Sequence, residues 1–111
     1  MPEKMNNNFF NKIDFSELHW EESAPDLKVK TFIQDNNKVR LLQLSKGLIH
    51  PDFCYTGHIG YVIEGIIDID FNGNIIRFNE GDVLLIRDGE TDKHIPIPIS
   101  DTVILLLIET P

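Results

Sequence analysis

The sequence predicts an all-β barrel or sandwich, and three observations carry that expectation. From Lys28 onward the apolar residues come in short runs rich in β-branched side chains, and turn residues separate the runs. Every connection is too short to hold a crossover helix, so the strands must pair mainly antiparallel. The first two runs, residues 29–33 and 39–44, are separated by the turn Asp35-Asn36-Asn37, and a less regular segment covers residues 49–55. Residues 58–63 and 66–71 follow. In the second, Ile67, Ile69 and Phe71 share one face while Asp68 and Asp70 share the other, so one face of this strand is wet. Asn72-Gly73 then joins it to residues 75–78 as a hairpin, because both central positions of a type I′ turn need positive φ. Glu80-Gly81-Asp82 leads into residues 83–86, and Asp88-Gly89-Glu90 reverses the chain again. Pro96 and Pro98 lack amide donors and place that segment at a sheet edge. Residues 103–108 are apolar on both faces, so the last strand, 102–109, is expected to be covered on both sides, within the layers or beneath a partner subunit.

Ahead of the strands, MPEKMNNNFFNK is polar and asparagine-rich apart from Phe9 and Phe10, and reads as a loose arm whose phenylalanines can dock on the body or on a second subunit. Residues 16–25 suit one helical turn, with Ser16 as its cap and Pro25 as its stop, and Trp20 is expected to cover one end of the core. The organisation is therefore an arm with a short irregular or helical segment at 1–27 and a β-barrel at 28–111. A chain of 111 residues, 41% hydrophobic and 25% charged, is one domain with enough apolar material for a core. The single Cys54 excludes an intramolecular disulfide, and no CxxC or finger spacing suggests a structural zinc knot. A reducing, cytoplasmic setting fits that pattern. Ten basic against eighteen acidic residues give a formal charge of −8, which argues against nucleic acid and anionic membrane as partners. No leader pattern is expected at the N-terminus, and the 103–108 run is far short of the ~20 residues that span a bilayer.

Two stretches carry a resemblance. GHIGYVIEGIIDIDFNG, residues 57–73, resembles the end of the first conserved motif of the small single-domain cupins, with a strand running into the glycine corner at Gly65 and a hairpin at Asn72-Gly73. FNEGDVLLIRDGETDKH, residues 78–94, resembles their second motif, in which a Gly-Asp turn, a strand and a further glycine lead to a metal-binding histidine. The resemblance covers roughly residues 39–109 and implies a double-stranded β-helix, or jelly roll, of about eight strands around a small-molecule cavity. Members of the family usually hold a divalent metal with an HxH pair, a glutamate and the second-motif histidine. Counted from Gly65, the glutamate position falls on His58 and the second-motif histidine on His94, while the HxH pair falls near Asp52 and Cys54. Neither of those two is a histidine, so the usual set is incomplete and the first metal motif is atypical.

The residues give their own reading. His58, Gly60 and Val62 share one strand face, and His94 follows a turn that can return it to the same barrel mouth. Two neutral imidazoles can bind Zn, Ni, Fe or Cu, with a third ligand from Cys54, Asp52 or His50. A cysteine ligand favours zinc or copper, whereas Asp52 with two histidines resembles the sets used by Fe and Mn. Tyr55, Val62 and Lys93 are further candidates for the ligand pocket. Cys54 by itself reads as a small buried hydrophobe, since no sequence neighbour visibly lowers its pKa. Tyr61 alternates away from the His58 face, and Asp68 and Asp70 read as a solvated face. No strand–glycine-loop–helix context supports a nucleotide fold. The expected function is that of a small cupin-like protein. It is either a divalent-metal-dependent enzyme acting on a small metabolite or a non-catalytic small-molecule or metal-binding sensor module. A homodimer is expected, because an edge strand and the apolar last strand need covering.

Overall fold

The computed structural model of the protein describes residues 11–49 and 52–109. Among the described residues nine strands form two sheets: β1 (Glu21–Ala24), β2 (Leu27–Gln34), β3 (Asn37–Ser45), β4 (His58–Glu64), β5 (Ile67–Phe71), β6 (Asn74–Phe78), β7 (Val83–Ile86), β8 (Ile95–Pro98) and β9 (Thr102–Glu109). The larger sheet runs β1-β2-β3-β9-β4-β7 and the smaller β6-β5-β8, and every pairing is antiparallel. This is the expected two-sheet jelly roll.

Period-2 alternation decides which side chains enter the space between the sheets. From the larger sheet come Leu42 and Leu44 of β3, Val62 of β4, Leu84 and Ile86 of β7, and Val103, Leu105 and Leu107 of β9, all buried. From the smaller sheet come Ile67 and Ile69. Each fully buried aliphatic side chain contributes on the order of 1.5–3 kcal/mol. β9 occupies the middle of the larger sheet, between β3 and β4, which satisfies its backbone on both edges. β8, with its two prolines, pairs only with β5 and lies at the edge of the smaller sheet. The β5–β6 turn places Asn72 and Gly73 at φ 55° and 100°, and the Gly73 amide donates to Asp70 Oδ1 at 2.6 Å. Asp68, on the same outer face, pairs with Arg77 across the hairpin.

The N-terminal segment differs from the expectation. A 3₁₀ turn spans Phe15–Glu17, but its cap is Asp14, whose carboxylate accepts from the Ser16 amide, and not Ser16. The helical turn ends there, and the chain goes on into β1, which pairs with β2; strand pairing thus reaches back to Glu21, inside the segment read as a short helical turn. Edge pairing to an already formed β2 supplies hydrogen bonds that a short isolated turn cannot match. Trp20 does not enter the core: it is partly exposed, with the Lys30 ammonium 4.9 Å from its ring centroid, and Lys30 also donates to the Phe15 carbonyl at 2.7 Å. Phe9, Phe10 and His50 lie outside the described residues. Among the described residues no helix is long and apolar enough to cross a membrane.

Candidate metal and ligand site

His58 opens β4, and its imidazole points inward with Gly60 and Val62 while Ile59, Tyr61 and Ile63 point out. The start of β4 is set by Gly57, where a Cβ would lie 2.6 Å from both Asp88 N and Ile86 O. Only glycine lets the strand close that tightly on the end of β7, and its amide donates to the Asp88 carboxylate at 2.5 Å. Cys54 and His94 come from two loops joined by an isolated antiparallel bridge. Cys54 N donates to His94 O at 2.8 Å, and His94 N donates to Cys54 O at 3.0 Å. Residues paired in this way project to the same side of the ladder. A donor atom from each of Cys54, His58 and His94 lies within 4.8 Å of the others, with both histidines buried. The two imidazoles meet edge to face at 5.3 Å between centroids, and Phe71 packs on His94 at 6.0 Å.

Oxygen atoms behind the histidines orient both rings. His94 Nδ1 lies 2.9 Å from the Asp92 carbonyl and donates to it, which leaves Nε2 to face the cluster. His58 Nδ1 lies 2.5 Å from Glu109 Oε2. The contact pairs the ring with the buried carboxylate. It turns Nε2 toward Cys54. Glu109 is buried at the end of β9 and is also bound by Arg40 Nη2 at 2.5 Å, with Lys38 Nζ at 3.9 Å. Burial would push its carboxyl up, but His58 and Arg40 outweigh burial and hold it at about 2. For His58 burial is again the largest influence and opposes the charge. Cys54 and Glu109 on either side outweigh it and raise the imidazole above its ordinary value. Cys54 is pulled down from 9.0 to about 5, first by the hydrogen bond from His58 and then by that from His94, against a smaller effect of burial. The thiol is therefore a thiolate at neutral pH, the form that binds metals.

These three residues line one end of a cavity of about 270 Å³ between the sheets. Among the described residues its other polar lining is Arg40 and Ser23, and the remaining walls are aliphatic, with Pro96. Several candidates stand elsewhere. Val62 shares the His58 face but is fully buried in the core and does not line this cavity. Tyr55 is half exposed, and Lys93 is held outside the cavity by Glu90 at 2.8 Å and by the Phe53 ring. Asp52 is exposed and is not part of the three-residue cluster. Cys54, a candidate third ligand that by its sequence neighbours alone reads as a small hydrophobe, lies in the cluster, where its thiol is pulled down. Its perturbing groups come from β4 and from the loop before β8, not from its own neighbours in sequence. Glu109 escaped the sequence reading. Extending the period-2 alternation from Val103 through Leu105 and Leu107 lands a carboxylate on the inner face, and that was the available signal.

The donor set fits a divalent metal by its chemistry. Sulfur plus two imidazoles is a zinc- or copper-type set, and rings anchored through Nδ1 are the usual support of such ligands. In a tetrahedral site with bonds of about 2.0–2.3 Å, donors lie roughly 3.3–3.8 Å apart, so closure of about an ångström would bring all three into range.

Among solved structures the chain is similar to an RmlC-like cupin from Shewanella frigidimarina, with 17% identity, 91% of this chain and 90% of that chain covered, and a TM-score of 0.73. The chain has the cupin fold. KdgF from a Halomonas species aligns at 18% identity over 86% of this chain and 89% of its own, with a TM-score of 0.71. A cupin-superfamily sugar phosphate isomerase from Silicibacter pomeroyi aligns at 13% identity over 90% and 75%, with a TM-score of 0.70. Identities this low establish the cupin architecture and leave the activity to the site. No protein-family model and no curated protein sequence matches the chain.

Proposed function

We propose that this small cupin-like protein binds a divalent metal of the zinc class through Cys54, His58 and His94 and uses it to hold a small metabolite in the adjoining cavity. The observation that carries this reading is the convergence of three donors within 4.8 Å at one end of that cavity. Glu109 and the Asp92 carbonyl orient the two rings, Arg40 balances Glu109, and the aliphatic walls exclude water. A bound metal would supply Lewis-acid polarisation of a ligand oxygen. The chain's own residues would do the positioning, and turnover of the metabolite would make the protein an enzyme. A specific observation favours binding or sensing without turnover. Among the described residues, once Cys54, His58 and His94 are ligands, Ser23 and Arg40 are the only other polar residues lining the cavity, and neither is a general base at neutral pH.

The test is elemental analysis of chelator-free, untagged protein, alone and after reconstitution with zinc, copper, iron, manganese and nickel. Close to one metal per chain is expected, with zinc or copper preferred. His58→Ala, His94→Ala and Cys54→Ser should each lower occupancy by tenfold or more at limiting metal. Unchanged stoichiometry in all three variants, each shown to be folded, overturns the proposal.

We propose in addition that two copies of the chain pair through the outer face of the larger sheet. Val83 and Leu85 of β7, Ile59, Tyr61 and Ile63 of β4, and Ile108 of β9 form an exposed, uncharged surface, with Leu85 77% exposed. In a chain of net charge −8, this is a face on which two copies can meet without opposing like charges, and a two-fold pairing covers both faces at once. Light scattering is expected to give twice the chain mass for the wild type and the single mass for Leu85→Lys. A monomeric wild type at micromolar concentration refutes the pairing.

A further inference from the structure

The walls of the cavity and one orphaned donor narrow the ligand class, on the assumption that the metal and metabolite reading above holds. Among the described residues, everything lining the 270 Å³ space apart from Ser23, Arg40 and the three donor residues is aliphatic or proline, including Leu42, Leu44, Ile67, Ile69, Leu84 and Leu105. A polyhydroxylated ligand would find no hydrogen-bond partners along these walls. Each hydroxyl buried without a partner costs about tenfold or more in affinity. Each methylene buried there gains about fourfold.

The polar end has its own asymmetry. Arg40 spends Nη2 on Glu109, but its Nε is buried with no partner. A guanidinium N–H in that state can make a charge-assisted bond to an anionic oxygen. The charges agree. Arg40 and Lys38 both reach Glu109, two cations to one carboxylate, so these side chains leave a positive excess behind the histidines.

We infer that the cavity takes a small monocarboxylate with a hydrocarbon body, its carboxylate turned toward the Arg40 guanidinium and the donor cluster and its body lying against the aliphatic walls. At a water's liquid share of about 30 Å³, the space holds roughly nine water-sized units, which suits a body of about five to eight heavy atoms. Sugars and sugar acids are the wrong shape of polarity for this wall, whatever their charge.

Calorimetric titration of the metal-loaded and metal-free protein with hexanoate, benzoate, hexanol and glucuronate tests the assignment. Hexanoate and benzoate should bind at least tenfold more tightly than glucuronate, and hexanoate more tightly than hexanol. Arg40→Gln should erase the preference of carboxylate over alcohol. That variant disturbs Glu109, so Leu48→Phe, at a half-buried wall position, provides the independent check. It should weaken hexanoate at least tenfold while metal content stays at the wild-type value. Glucuronate binding as tightly as hexanoate, hexanoate binding unaffected by Leu48→Phe, or no hexanoate binding by the folded protein in either state overturns the inference. The two readings fail separately. Metal at full stoichiometry without carboxylate binding sinks the ligand class alone, whereas carboxylate binding by a protein that takes up no metal sinks the metal alone.

Discussion

Replacing Glu109 by glutamine is expected to destabilise the metal-free protein by about 3 kcal/mol at pH 7 and to flatten its acid unfolding. The carboxylate is almost fully buried between Arg40 and His58, with Lys38 nearby. Removing one member of such a cluster leaves the others desolvated without a counter-charge, which typically costs about 3–5 kcal/mol. Arg40 and Lys38 retain some access to solvent, so the lower end applies. Proton linkage gives a similar size. A carboxyl held at about 2 against an ordinary 4.5 differs by some 2.5 units, or about 3 kcal/mol at ~1.4 per unit. Because the folded value is the depressed one, this stabilisation is fully present above about pH 4.5 and is lost as pH falls toward 2. Asp92, held at about 2 by Arg87, and Asp68, lowered by Arg77, add acid sensitivity of their own on the surface. The informative quantity is therefore the difference between the wild-type and Glu109→Gln denaturation curves, measured by urea unfolding from pH 7 to 2. A gap that narrows between pH 4.5 and 2 supports the cluster. A constant gap, or none, refutes it.

The second large effect is expected at Cys54. Thiolate absorbance near 240 nm in the metal-free protein should titrate with a midpoint near 5, about four units below the ordinary thiol value of 9.0. Iodoacetamide should accordingly modify Cys54 at close to its full rate already at pH 6. Both rings support the thiolate, His58 more than His94, so His58→Ala should move the midpoint up by one to several units and His94→Ala by less. Stability follows the same sign as for Glu109. The depressed thiol value stabilises the folded state fully only above about pH 9, and that contribution fades as pH falls toward 5. The raised value of His58 works in the opposite direction, since its contribution is complete below 6.5 and is lost as pH rises through the folded value. Zinc should abolish alkylation and release protons on binding, because ligation needs the sulfur and the ligating ring nitrogens free of protons. A midpoint above 8 in the metal-free wild type would show that the three side chains do not form the coupled cluster described here.

The cupin frame was largely legible along the chain because its signals are local. Asn72-Gly73 specifies a turn by the φ values it demands, and Ile67-Asp68-Ile69-Asp70 specifies a strand face by its period. Pro96 and Pro98 specify an edge by the donors they lack. Two inward histidines, His58 and His94, followed from the same alternation and from the resemblance of residues 57–73 and 78–94 to the cupin motifs. β1 was not legible, since EESA has no strand pattern of its own and becomes a strand only where β2 offers it an edge. The state of Cys54 was not legible either. It depends on a bridge to His94, forty residues away in the chain, and on a ring that β4 brings in from the neighbouring sheet position. Glu109 belongs to both sets. The alternation of β9 announces that it points inward, but an inward carboxylate could not be given a role until Arg40 and His58 were seen around it. Turns, faces and edges are decided by each residue's own backbone preferences and spacing, so the sequence by itself determined the barrel and the direction of its histidines. Ionisation, ligand sets and cavity walls are decided by which distant side chains share one desolvated space, and that only the tertiary structure decided.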